Sequence, residues 1–188
     1  MPFTINSFRT AIQKRGGIAR PNLFEVNIVG AAVSSGIKVA FPIQCKVASI
    51  PPSTMGVIEV QYFGRIIKIP GNRTFDNLSV TVINDEKMVI RDGIEDWMAK
   101  MNSHIGNRQS ATIEQLQADI TLVHYAVDQK PIGQPWTFVD AFPVSLSEIG
   151  LDWGTNDTAE EFTIDFAYDY WKRGGAGGAR GNPRSRSG

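Results

Sequence analysis

Apolar and polar side chains alternate with a period of two along much of this chain. The clearest run is 161–171, where Phe162, Ile164, Phe166, Tyr168 and Tyr170 alternate with Glu161, Thr163, Asp165, Ala167 and Asp169. Over 136–148, Trp136, Phe138, Phe142, Val144 and Leu146 oppose Thr137, Ser145 and Ser147, and Asp140 on the apolar side marks a bulge or a wet edge. Phe24, Val26 and Ile28 form one face against Glu25 and Asn27, and Leu78, Val80 and Val82 repeat the pattern. The stretch 41–48 also reads as a strand. Successive strand side chains point to opposite faces, so these runs predict sheets with one dry and one wet face, as antiparallel sheets have. Several such runs separated by turn residues predict a mainly β protein, an antiparallel β-sandwich or half-barrel.

The period changes once. Behind Asn84 and Asp85, a plausible N-cap pair, Ile90, Ile94, Trp97, Met98 and Met101 fall on one helical stripe. Arg91, Asp92, Glu95, Asp96 and Lys100 take the other side. One flanking helix over 85–102 is therefore expected, its stripe turned to the core. Gly93 inside it costs about 1 kcal/mol relative to Ala, so this helix depends on tertiary contacts.

A third pattern fills 50–75. Ile50, Pro51 and Pro52 open it and Pro70-Gly71-Asn72 close it. Between them Met55, Val57, Ile58, Val60, Tyr62, Phe63, Ile66, Ile67 and Ile69 are apolar at nearly every step. Such a run is either a strand buried on both faces or a limb that packs on another molecule. The prolines and glycines favour an arm over 50–64, with 66–69 as strand.

The composition, 188 residues with 42% hydrophobic and 20% charged, is that of an ordinary globular domain. No stretch approaches the roughly 20 apolar residues of a membrane helix, and the N-terminus has no apolar segment of a secretory signal, so folding in a cytoplasm is expected. The formal charge is zero but unevenly spread. Arg9, Lys14, Arg15 and Arg20 meet no acid over 1–20, and Lys172, Arg173, Arg180, Arg184 and Arg186 meet none over 172–188. Ten basic residues then face all nineteen acids between 21 and 171, a net charge of −9. The layout is a basic N-terminal extension at 1–18, a β domain at 19–171 and a Gly/Arg-rich tail at 172–188, expected to be disordered.

No catalytic constellation assembles. The chain lacks a Gly-Xaa-Ser-Xaa-Gly elbow, a phosphate loop and a His-Glu-Xaa-Xaa-His pair. Cys45 is single and reads as a small core or half-buried residue, while His104 and His124 make no metal spacing. Asp152, Asp157, Glu160 and Glu161 cluster without the ligand order of a calcium loop. No enzyme, metal or cofactor is expected. The Arg-Gly tail suits nucleic acid, but the acidic body does not. Open sheet edges and an apolar arm point instead to self-assembly.

Several stretches resemble the tail tube proteins of T4-like contractile-tailed phages. They are Ala19-Arg-Pro-Asn-Leu-Phe-Glu-Val, Ile43-Gln-Cys-Lys-Val-Ala, Pro70-Gly-Asn-Arg-Thr-Phe-Asp, Val80-Thr-Val-Ile-Asn-Asp-Glu, Leu151-Asp-Trp and Phe162-Thr-Ile-Asp-Phe-Ala-Tyr-Asp-Tyr-Trp. They run in order over 19–171, and 102–135 matches poorly. The resemblance implies a β-sandwich with one helix, six copies to a ring, a continuous ring-wide β-barrel around a lumen, and rings stacked inside a contractile sheath. It implies that the arm spans 47–70 as a loop reaching the adjacent ring, and that Arg73, Thr74, Phe75 and Asp76 form a strand-entry motif in which Arg73 pairs with Asp76. It implies as partners further copies of the chain, sheath, baseplate and tail terminator proteins, and in the lumen a tape measure protein followed by double-stranded DNA. Residence is in the virion tail after assembly in the host cytoplasm, with no membrane. Glu161, Asp165 and Asp169 are candidate lumen acids that would repel phosphate. A baseplate tube initiator, or the tube of a phage-derived injection particle, would share these features.

Overall fold

The computed structural model describes residues 4–14, 16–104, 106 and 108–174. The elements in chain order are α1 (Ile5–Lys14), β1 (Phe24–Gly30), α2 (Ser35–Gln44), β2 (Cys45–Ala48), β3 (Thr54–Tyr62), β4 (Arg65–Thr74), β5 (Leu78–Ile83), α3 (Val89–Met101), α4 (Ile113–Leu116), β6 (Ala118–His124), β7 (Trp136–Leu146), β8 (Glu161–Ala167) and β9 (Tyr170–Arg173). All pairing is antiparallel. One sheet runs β1-β6-β7-β8-β5-β2, with β9 also on β7, and among the described residues β3 and β4 form a separate two-stranded sheet.

β7 joins two layers. Its first half pairs with β6 and β9, its second half with β8. The ends of the path, β1 and β2, come back near each other, so the sheet curls around its inner face. That face carries Val26, Ile28, Leu78, Val80, Val82, Ile120, Leu122, Phe138, Phe162, Ile164 and Phe166, all buried. Two helices cover it, α2 through Ile37 and Phe41 and α3 through Ile90, Ile94 and Trp97. Met98 and Met101 are half-buried beside them. Trp97 buries its ring beside Phe166, with centroids 6.3 Å apart, and its Nε1–H donates to the Leu116 carbonyl at 2.6 Å. The buried donor is thereby satisfied.

Gly93 has a packing role. A Cβ there would stand 2.6 Å from Ile37 Cδ1 and 2.7 Å from Ile37 Cγ1, so its absence is what lets α3 close on α2. The expected N-cap pair splits its work. Asp85 Oδ1 accepts from Val89 N–H at 3.0 Å, opening α3, while Asn84 Nδ2–H donates to Glu160 at 2.6 Å. The helix begins at Val89 rather than 85 because Met88 adopts a left-handed φ of 49°.

Other expectations are corrected. There are four helices among the described residues, not one flanking helix. The stretch 41–48 is not one strand: Ser34 caps α2 by accepting from Ile37 N–H, and only Cys45–Ala48 is extended. The apolar residues Ile37 and Phe41 stand four apart, a helical spacing that a period-two reading overlooks. Residues 161–171 are two strands, β8 and β9, which pair with different halves of β7, and Tyr170 is exposed. In β7, Asp140 takes φ 57° and the pairing slips between Ala118 and Ile120 of β6, as a bulge does. A one-residue slip exchanges the two faces, so Ala141 and Pro143 turn inward and Val144 outward. Lys172 and Arg173, expected in the tail, extend β9. The rest of the tail, 175–188, lies outside the described residues.

Candidate functional site

Among the described residues the β3–β4 hairpin stands apart from the buried core. Every residue of both strands is exposed except Gly71, which is half-buried. The strands meet at Phe63 (φ 44°) and Gly64 (φ 77°), the two left-handed positions that a tight two-residue hairpin turn requires. Phe63 at the tip is 90% exposed. The pairing explains the unbroken apolar sequence. Ile58 stands opposite Ile69, Val60 opposite Ile67 and Tyr62 opposite Arg65, and these share one face. Val57, Glu59 and Gln61 share the other with Pro70, Lys68 and Ile66, and Lys68 pairs with Glu59 at 3.7 Å. The arm is thus a hairpin with a dry face and a mixed face.

Its bounds differ from the sequence reading. Residues 47 and 48 belong to β2, and the hairpin continues to Thr74. Arg73 and Thr74 therefore lie in β4, opposite Met55 and Thr54. Phe75 packs against Tyr168 with ring centroids 6.1 Å apart, and Asp76 is exposed. Burial first, and the Asp76 charge second, raise the Tyr168 hydroxyl above its ordinary pKa. Among the described residues no ion pair joins Arg73 to Asp76. At the root, Ile50 is half exposed, and Pro51 and Pro52 line a small cavity together with Leu78, Phe138 and Tyr168. The prolines fix the direction in which the hairpin leaves the body.

The outer face of β5 and β8 is a polar band. Thr81 and Thr163 hydroxyls are 3.2 Å apart, Ser79 Oγ–H donates to Asp165 at 2.7 Å, and Lys46 pairs with Glu161. Glu161 and Asp165 share this band, whereas Asp169 is exposed in the break between β8 and β9. Three of the four acids over 152–161 are engaged by other protein groups. Asp152 accepts from Gly154 N–H and Thr155 Oγ1–H, Glu160 from Asn84 and Glu161 from Lys46. Among the described residues no three His, Cys, Asp or Glu side chains stand together as a metal site. Burial pushes the Cys45 thiol up to about 12, which suppresses thiolate chemistry at neutral pH.

Sequence reasoning missed α4 and β6. The signals were present: Thr112 and Gln115 form a capping box, and Ala118, Ile120 and Leu122 alternate with Asp119, Thr121 and Val123.

The family model described as phage tail tube protein matches residues 19–174. The chain belongs to that family. The tail tube protein gp19 of Enterobacteria phage T4 is 31% identical over 157 residues, 84% of this chain and 93% of that protein. The tail tube protein of Serratia phage KSP90 is 28% identical over 168 residues, 88% and 94% of the two chains. A chain in the anti-feeding prophage baseplate shares the fold at TM-score 0.60 and 18% identity, over 82% of this chain and 94% of that one. As a phage tail tube protein, the chain is a structural component of the virion tail. Its family is structural and is not known for catalysis. The matched span includes the hairpin and β9 and leaves α1 outside.

Proposed function

We propose that six copies close into a ring and that rings stack through the β3–β4 hairpin into the inner tube of a contractile tail, the conduit for DNA ejection. One observation carries this reading: a hairpin with five apolar side chains on one face, Ile58, Val60, Tyr62, Ile67 and Ile69, leaves all five exposed among the described residues. A lone two-stranded hairpin is marginal in water, and covering the remaining half of each such side chain contributes about 1 kcal/mol, so a neighbouring copy is its natural cover. Strands joined edge to edge around the ring would form a continuous barrel and remove open edges. The polar band bearing Glu161 and Asp165 suits a wet lumen wall, where carboxylates repel phosphate. Asp169 supports the lumen less well, because it stands apart from that band. The tape measure protein and then double-stranded DNA would occupy the lumen, with sheath outside and baseplate and terminator proteins at the ends. Assembly would take place in the host cytoplasm.

Negative-stain microscopy of the purified chain tests the reading. Rings or tubes of uniform width are expected, and Ile58→Asp with Val60→Asp is expected to give folded subunits that do not stack. Unfolding of that double variant would make the segment core and overturn the assignment.

A further inference from the structure

A second exposed apolar element stands outside the family match. α1 buries none of its residues. Ile5 and Phe8 are 82% and 66% exposed and share a helical face with Ile12. The flanking charges, Arg9, Lys14, Arg15 and Arg20, are all basic. Gly16 and Gly17, both at positive φ, link the helix to the body. It joins the body where His124 Nε2–H donates to the Arg20 carbonyl at 2.7 Å, at the start of β1 and the end of β6.

A complementary element stands at the far end of β7. The loop 147–160 shows Leu151 at 85% exposure and Trp153 fully exposed. It is a built turn, held by the Asp152 bonds already described and, at its ends, by Arg91 donating to the Ser147 carbonyl and by Glu160 on Asn84. It carries Glu148, Asp152, Asp157 and Glu160 and no basic residue. The α1 end of β7, at Trp136, and the loop end, at Leu146, are the two ends of an eleven-residue strand whose contour is at most about 35 Å.

We infer that α1 of one copy docks its Ile5, Phe8 and Ile12 face on Leu151 and Trp153 of a second copy, its basic flanks meeting the loop's acids. This rests on the proposed stacking of copies and adds to it a contact separate from the hairpin. Donor and acceptor patches at opposite ends of the domain form a head-to-tail contact, which repeats from copy to copy without self-pairing. An exposed Trp meeting a Phe is the kind of aromatic anchor that dominates an interface, and opposite charge fixes its orientation.

The test uses the full chain with Phe8→Cys and Trp153→Cys, each alone and mixed, after assembly and mild oxidation. The mixture is expected to give a covalent dimer that neither single variant gives. A chain carrying both substitutions is expected to give a ladder of oligomers. Phe8→Asp is expected to raise the concentration needed for assembly about tenfold and to make assembly less sensitive to salt. Tubes that form normally without any cross-link would overturn this contact and leave hairpin stacking intact. A link formed wholly within one copy of the double-cysteine chain would overturn it too. Failure of the unsubstituted chain to form rings or tubes would remove both readings together.

Discussion

The body and the hairpin use the same kinds of side chain to opposite effect. In β8, Phe162, Ile164 and Phe166 are buried and their alternates are half-exposed. In β3 and β4, Ile58, Val60, Ile67 and Ile69 alternate as regularly and all remain exposed. The difference lies in what each strand faces. The inner face of β8 meets α2 and α3, whereas the apolar face of the hairpin stays exposed among the described residues. Apolar content therefore measures how much surface a segment must bury, and topology decides whether the cover comes from within the subunit or from a neighbour.

The sharpest way to break this comparison is to truncate one residue in each region. Trp97→Ala removes the largest fully buried side chain and its bond to Leu116, and is expected to cost about 3–5 kcal/mol. Thermal unfolding of the subunit should show this as a clear drop in melting temperature. Ile58→Asp, on the exposed hairpin, should shift subunit stability by no more than about 0.5 kcal/mol while assembly is lost. Equal destabilisation by the two would mean that the hairpin folds onto its own body.

A smaller effect sharpens the description of the body. Gly93→Ala gains about 1 kcal/mol of helix propensity, but its methyl would enter the space of Ile37. The overpacking of a buried contact costs typically 1–3 kcal/mol, so net destabilisation is expected in chemical denaturation. Ile37→Val in the same chain should recover part of it, because it removes the Cδ1 atom nearest the added methyl. A stabilised Gly93→Ala would show that α2 and α3 are free to move apart.

The sequence made the strands legible wherever one face is covered. Period two identified β1, β5, β7 and β8, and the α3 stripe Ile90, Ile94 and Trp97 is the buried set. It failed where a local device changes parity or period. The Asp140 bulge moved Val144 to the outside, and the spacing of Ile37 and Phe41 hid α2 inside a run that also contains Pro42 and leads into β2. The arm was legible as an excess of apolar groups. Its hairpin register was not, because it depends on a Phe63-Gly64 turn in which a bulky residue takes the positive φ usually left to Asn or Gly. The candidate lumen acids were legible only as members of a wet face, since a carboxylate pattern is the same whether that face meets a pore or a partner.

The smallest effect appears only in alkali and again separates body from hairpin. Cys45 opens β2, the strand that precedes the hairpin, yet burial raises its thiol from an ordinary 9.0 to about 12. The folded chain thus holds this proton more tightly than the unfolded chain does. The resulting stability is complete below pH 9 and is lost as pH rises from about 9 to 12. Tyr125, whose hydroxyl donates to Glu25, and Tyr168, which is partly buried, are also raised and act in the same direction. Comparing the natural chain with Cys45→Ala cancels both tyrosines, since each variant retains them. The melting temperature of the natural chain should fall more steeply than that of the variant between pH 9 and 12, while the two run parallel from pH 6 to 9. Parallel curves throughout would mean that the thiol ionises as freely in the folded body as in the unfolded chain, and that the start of β2 is as open to water as the hairpin it leads into.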